Sequence, residues 1–298
     1  MTFPATQRAY SSLKSLTPRS LRGALGAAVE ELGALTSTLR LLPSFIIVGG
    51  QRCGTNSLYE YVASHPRVGR ALPLPEVHYF DLNFERGMEW YRGHFPIRLK
   101  RRAAGHLPHV RSITGESSPY YMFHPLAAPR IAAALPRVKL IVLLRNPIDR
   151  AYSHYNHEQA RGHEALCFED ALEQEPERLA GEAGKLRANA GYRSFSYQHF
   201  SYLARGMYAD QLERIFSLFP RDDVLVLGSE ELFLAPVETH MRVLEFLGLS
   251  AVPLRQYPQL NPGTYSGMDG RLRRQLADHF SGPNERLSRL IGRDVDWD

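Results

Sequence analysis

The chain has 298 residues, 44% of them hydrophobic and 22% charged. That mixture excludes a largely disordered chain, a collagen and a coiled coil, and the length allows a large buried core. A formal charge of +5 suits an anionic ligand or substrate and is too small an excess to argue for nucleic acid. The two cysteines, Cys53 and Cys167, form neither a disulfide framework nor a CxxC pair for zinc, so a reducing, cytoplasmic setting is expected. No stretch approaches the ~18 unbroken apolar residues of a spanning helix. Arg8, Lys14, Arg19 and Arg22 are scattered with no apolar segment behind them, so neither export nor a membrane anchor is expected.

Residues 1–43 read as a polar tail followed by an amphipathic helix. Leu21, Leu25, Ala28, Leu32, Leu35 and Leu39 fall three or four apart, and Pro43 ends the pattern. The polar face is not rich in lysine and arginine, which favours a helix packed on its own domain over one lying on a membrane. Residues 44–298 read as one domain. Phe45–Val48 is a buried-strand run, followed at once by the glycine-rich turn Gly49-Gly50-Gln51-Arg52-Cys53-Gly54 and a helix over Leu58 to Ala63. A second strand–turn–helix unit runs through Val138–Leu144, breaks at Arg145-Asn146-Pro147 and resumes as a helix from Ile148 to Gln159. A third strand, Val224–Leu227, follows a helix through Tyr208–Phe219. Alternating strands and helices predict an α/β fold, a central parallel sheet flanked by helices. The charged, alanine-rich stretch near 162–201 reads as a helical insert.

The turn after the first strand carries the strongest chemical signal. Gly49, Gly50 and Gly54 let backbone N–H groups approach a phosphate, and the helix that follows turns its positive dipole end toward it. Thr55, Asn56 and Ser57 add side-chain donors, and Arg52 adds a permanent forked charge. The Gly49-x4-Gly54 spacing resembles a nucleotide P-loop without its Gly-Lys-Ser/Thr ending, and the second strand ends in Arg145 where a magnesium-holding Asp would be needed. Arg145 and Ser153 stand at the carboxyl end of that second strand, on the sheet edge that carries Arg52.

Together, the run Phe45 to Thr55 and the run Leu143 to Tyr155 resemble the sulfotransferase superfamily, whose donor is 3′-phosphoadenylyl sulfate. The first run looks like its 5′-phosphosulfate loop and the second like its 3′-phosphate site. Glu76-Val77-His78-Tyr79-Phe80-Asp81 resembles the Glu-Val-His-Phe-Phe-Asp segment of the heparan-sulfate-type branch, and Gly115 to Tyr121 the segment that follows it. Weaker matches are Tyr202 to Tyr208, Phe246 to Leu249 and Asn261 to Tyr265. The resemblance covers about residues 44–297. It implies a P-loop-like fold and a metal-free reaction that yields adenosine 3′,5′-bisphosphate. It implies donor binding by Arg52, Cys53, Gly54, Thr55, Asn56, Ser57, Arg145, Ser153, Tyr208, Gly263 and Thr264. It also implies Glu76 as general base toward an acceptor hydroxyl on a small molecule, glycolipid or saccharide.

Sulfuryl transfer builds charge on the leaving phosphate and takes a proton from the acceptor, so cationic donors belong on one side and a base on the other. Arg52 serves the leaving side. His78 orients Glu76 or shares its role, and in a strand positions 76 and 78 face the same way. This chain departs from the family pattern at two places. Arg52 stands where lysine is common, and Ser117 and Ser118 occupy the place of a branch lysine. These departures keep open a non-catalytic member that binds the nucleotide or another anion, and a P-loop kinase is the remoter alternative. Tyr120, Tyr121, Phe123, His157 and the insert are the expected acceptor side. His154, His157 and His163 are not in good register for a metal. The basic run Arg98, Lys100, Arg101 and Arg102 reads as a solvated face, and Asp294, Asp296 and Asp298 as a terminal turn.

Overall fold

A computed structural model describes residues 26, 30–98, 112–261, 263, 267–295 and 297. The tail, Lys100, Arg101, Arg102, Thr264, Asp296 and Asp298 lie outside the described residues. The strands β1 (Phe45–Gly49), β2 (Val68–Gly69), β3 (Ile113–Ser117), β4 (Lys139–Leu144) and β5 (Val224–Gly228) form one sheet in the order β2-β3-β1-β4-β5. Every pairing is parallel. A parallel sheet is covered on both faces, which is why β1 is buried at every position and β4 at all but its first.

Successive side chains sort to opposite faces. Ile46, Val48, Leu140, Val142 and Leu144 share one apolar cluster with Tyr91, Phe95, Leu212 and Ile215. Phe45, Ile47, Ile141 and Leu143 share the other with Leu58, Val62, Val243 and Leu244. Each such side chain contributes roughly 1.5–3 kcal/mol by leaving water. Phe45 lies opposite Gly115 in register, and a Cβ on Gly115 would fall 2.5 Å from the Phe45 ring. The glycine is what lets β3 close on β1.

Helix α1 (Thr55–Ala63) follows β1. Helix α2 (Gly87–Gly93) precedes β3, and α3 (Ala127–Ala134) lies between β3 and β4. Helix α4 (Pro147–Ala160) follows β4 and starts where the sequence indicates. The Asn146 side chain accepts from the N–H groups of Ile148 and Asp149, and Pro147 sits in the first turn. The insert is helical as α5 (Phe168–Leu179), α6 (Glu182–Ala188) and α7 (Phe195–His199). Phe168, Ala171 and Leu172 of α5 pack with Ile148, Ala151 and Tyr155 of α4 and with Tyr202 in a third cluster. Helix α8 (Tyr208–Phe216) stops three residues short of the expected Phe219. Helices α9 (Ser229–Leu234), α10 (Pro236–Phe246) and α11 (Gly270–Ile291) complete the chain.

Two strands, β2 and β3, escape sequence reading. β2 is two residues long, and Gly115 and Glu116 disguise β3. The N-terminal stripe also differs from expectation. Residues 30–35 are helical, yet Leu32, Leu35 and Leu39 are exposed. That stretch meets the domain through Gly33, which abuts the Gly93 backbone, and through Glu30, which accepts from Trp90 Nε1 at 3.0 Å.

Candidate active site

The carboxyl ends of β1, β3, β4 and β5 open onto one cavity of about 1270 Å³. That exceeds the usual ~300–1,000 Å³ of a small-molecule pocket and has room for a nucleotide and a second molecule. Its lining includes Arg52, Gly54, Thr55, Asn56, Glu76, His78, Arg145, Ser153 and Gly263. Among the described residues, all the expected donor and catalytic positions except Cys53, Ser57 and Tyr208 therefore face one space.

The turn from β1 to α1 is held in a conformation that favours ligand approach. Gly54 caps α1 with φ +90°, where a Cβ would also fall 2.8 Å from the Phe233 ring. Arg52 adopts φ +70° without being glycine, a strain of roughly 1–3 kcal/mol. Its guanidinium Nε donates to Ser153 Oγ at 3.2 Å, and its carbonyl accepts from Arg145 Nη1 at 3.3 Å. The ends of two neighbouring strands thus join Arg52, Arg145 and Ser153 into one cationic cluster. Asn56 Oδ1 is buried and has no hydrogen-bond partner among the described residues.

The three remaining donor positions sit behind this surface. Ser57 Oγ accepts from the Leu260 N–H at 2.9 Å, which ties the segment carrying Gly263 to α1. Tyr208 is buried, lies under Gly50 and donates its hydroxyl to the Arg145 carbonyl at 2.9 Å. Cys53 is fully buried, and that burial pushes its thiol up to about 11, so it carries no thiolate at neutral pH. These three shape the loop and the backbone that presents Arg145.

Across the cavity, Glu76 Oε2 lies 3.8 Å from His78 Nε2, and His78 Nδ1 donates to Asp81 Oδ2 at 2.8 Å. Positions 76 and 78 are not in a strand. They lie on a loop, with His78 at φ +53°, and this backbone, not a two-residue alternation, brings both into the cavity. Burial alone would lower the His78 pKa, but the Asp81 and Glu76 carboxylates raise it to about 10, so the ring is protonated at neutral pH. The His78 N–H donates to Ser118 Oγ at 3.0 Å, and the Ser118 hydroxyl donates to Glu116 at 2.7 Å. Glu116 is wholly buried, which raises its carboxyl to about 7, and it also accepts from the hydroxyls of Tyr91 at 2.6 Å and Tyr121 at 3.2 Å.

Of the expected acceptor residues, Tyr120 and His157 line the cavity, whereas Tyr121 and Phe123 are buried and absent from its lining. The structure adds residues that sequence reading gave no role. Arg205 is buried against the Tyr120 and Phe123 rings and donates to the Gln51 side chain, bracing the loop from within. Glu158, Arg161, Gln198 and His199 form part of the wall beyond Glu76. Asp81 stood in the Glu76–Asp81 motif without a role. Arg205 lies inside another matching segment, and no local pattern could reveal that it would reach Gln51.

The family model for the sulfotransferase domain matches residues 42–260. A membrane-associated sulfotransferase of Dictyostelium discoideum is 24% identical over 87% of this chain and 67% of its own length. The heparan sulfate glucosamine 3-O-sulfotransferase 3B1 of Mus musculus is 30% identical over 86% of this chain, which spans 65% of that protein. A sulfotransferase structure from Alicyclobacillus acidocaldarius is 31% identical, with 86% of this chain and 98% of that one covered and a TM-score of 0.62. With a parallel sheet whose strand ends carry the matching loop, and a family model that spans most of the sequence, the chain belongs to the sulfotransferase family.

Proposed function

We propose that the enzyme transfers the sulfuryl group of 3′-phosphoadenylyl sulfate to an acceptor hydroxyl, with Glu76 as general base. The observation that carries this reading is a single cavity with the Arg52–Ser153–Arg145 cluster on one wall and the Glu76–His78–Asp81 chain on another. The N-terminus of α1 and Arg52 receive the phosphosulfate end of the donor, and Arg145 with Ser153 receives the 3′-phosphate. Glu76 takes the acceptor proton as the acceptor oxygen bonds to sulfur. The sulfur–oxygen bond to the 5′-phosphate breaks, and adenosine 3′,5′-bisphosphate leaves with the electron pair. Arg52 stabilises the charge that gathers on that leaving oxygen without giving up a proton, since a guanidinium stays charged. Protonated His78, held from behind by Asp81, orients Glu76. The acceptor is a small molecule, a glycolipid or a saccharide, bound beside Tyr120 and His157.

A kinase reading lacks the Asp-ended strand that would hold magnesium, because β4 runs into Arg145. Calorimetric titration with adenosine 3′,5′-bisphosphate in the absence of metal, beside ATP with magnesium, tests the donor assignment. Saturable binding of the bisphosphate that Arg145→Ala weakens is expected. Binding of ATP alone, or of neither nucleotide, would overturn it.

A further inference from the structure

Beyond Glu76, the cavity wall holds a group of side chains that the transfer reaction does not use. Glu158 stands near the end of α4, His163 in the turn that follows, and His199 at the end of α7. His163 Nδ1 and His199 Nδ1 each lie 2.8 Å from the same oxygen of Glu158, Oε2. One ligand atom from each of the three residues lies within 4.8 Å of the other two, and the two imidazole rings are 4.6 Å apart at 68°. The other carboxylate oxygen, Oε1, lies 3.5 Å from Nε2 of the fully buried His154.

We infer that Glu158, His163 and His199 form a binding site for a zinc-class divalent cation in the cavity wall. Two imidazole nitrogens and one carboxylate oxygen are a donor set that suits zinc, cobalt or nickel, whereas magnesium and calcium prefer oxygen alone. Zinc bonds of about 2.0–2.2 Å to nitrogen and oxygen place neighbouring ligand atoms ~3.3 Å apart in a tetrahedron. The present 2.8 Å separations need only a small widening, within reach of side-chain rotation. Glu158 is 1% exposed and is held on α4, so the carboxylate is already fixed. Glu158 and His199 are themselves part of the cavity lining, so a cation there has solvent access and a free coordination position for water or an oxygen of a bound molecule.

The site rests on side-chain geometry and is independent of the donor assignment. The test is calorimetric titration of tag-free, chelator-treated protein with zinc chloride, beside a cobalt titration followed by visible absorption. The expected result is one equivalent bound with micromolar or tighter affinity, and cobalt bands of a four- or five-coordinate site. His163→Ala and His199→Ala should each weaken uptake at least tenfold, whereas His279→Ala, on the exposed face of α11, should leave it unchanged. The His163 side chain is 31% exposed, so its removal leaves the fold intact and the comparison valid even if the His199 variant is unstable. Absence of saturable uptake, or uptake unchanged in the His163 variant, would overturn the assignment and leave the trio as a hydrogen-bonded brace between α4 and α7.

Discussion

At one end of the cavity, Arg52, Arg145 and Ser153 stand on backbone dictated by two adjacent strands, buried at every position but the first of β4, and the helices that follow them. At the other end, Glu76, His78 and Asp81 stand on a loop that meets β3 through the Ser117 N–H to the Pro75 carbonyl, and they are held by hydrogen bonds that run through side chains. The first end is built from permanent charge and backbone N–H groups, which do not change with pH. The second is built from titratable groups, among them His78, raised to about 10, and beside it Glu116, raised to about 7. The difference suits a donor that is always the same anion and a proton transfer that must be tuned.

The contrast is sharpest if the two ends are disabled separately. Glu76→Gln should lower turnover by about 10²–10⁴-fold while bisphosphate affinity is unchanged, read by steady-state rates beside calorimetry. An equal loss in both would merge the two ends into one. Arg145→Ala should weaken bisphosphate binding by roughly 10–100-fold, the worth of a charged hydrogen bond at about 1.5–3 kcal/mol. Ser153→Ala, which removes a neutral partner of Arg52, should cost tenfold or less in the same titration.

Smaller effects concern stability at the acceptor end. The folded pKa of His78 lies above its unfolded value of about 6.5, so the folded state binds the extra proton. Its contribution is complete below pH ~6.5 and is lost as pH rises through about 10. Asp81→Asn should therefore lower Tm most near neutrality, and the gap to the parent should narrow toward pH 10. Parallel melting curves for the two proteins would contradict a protonated His78. Glu116 is also raised, but as a carboxyl, so it is the neutral form that the fold favours. Stability should fall as pH rises from ~4.5 through about 7, and Glu116→Gln should flatten that slope by a few degrees of Tm.

Much of the donor end is legible in the sequence because it is local. A strand run, a glycine turn and a capped helix are contiguous, so Phe45 to Ser57 and Leu140 to Ser153 carry their own geometry. The acceptor end is assembled from distant pieces. The Glu76–Asp81 motif names its residues but does not place them, and the segment folds as a loop. Arg205 and His199 enter through other helical segments that only packing brings near Glu158 on α4 and His163 in the turn after it.

The sequence by itself determined strands β1, β4 and β5 and the helices after β1 and β4, the phosphate-binding turn, and the cation after β4, because propensity, periodicity and capping act within a few residues. The tertiary structure alone decided that Arg52, Ser153 and Arg145 touch, that Tyr208, Ser57 and Cys53 lie behind the cavity surface, and that two histidines converge on one oxygen of Glu158. Those outcomes depend on which parallel strands lie side by side and on how helices seat on them, a balance of apolar burial across the whole chain that no short stretch encodes.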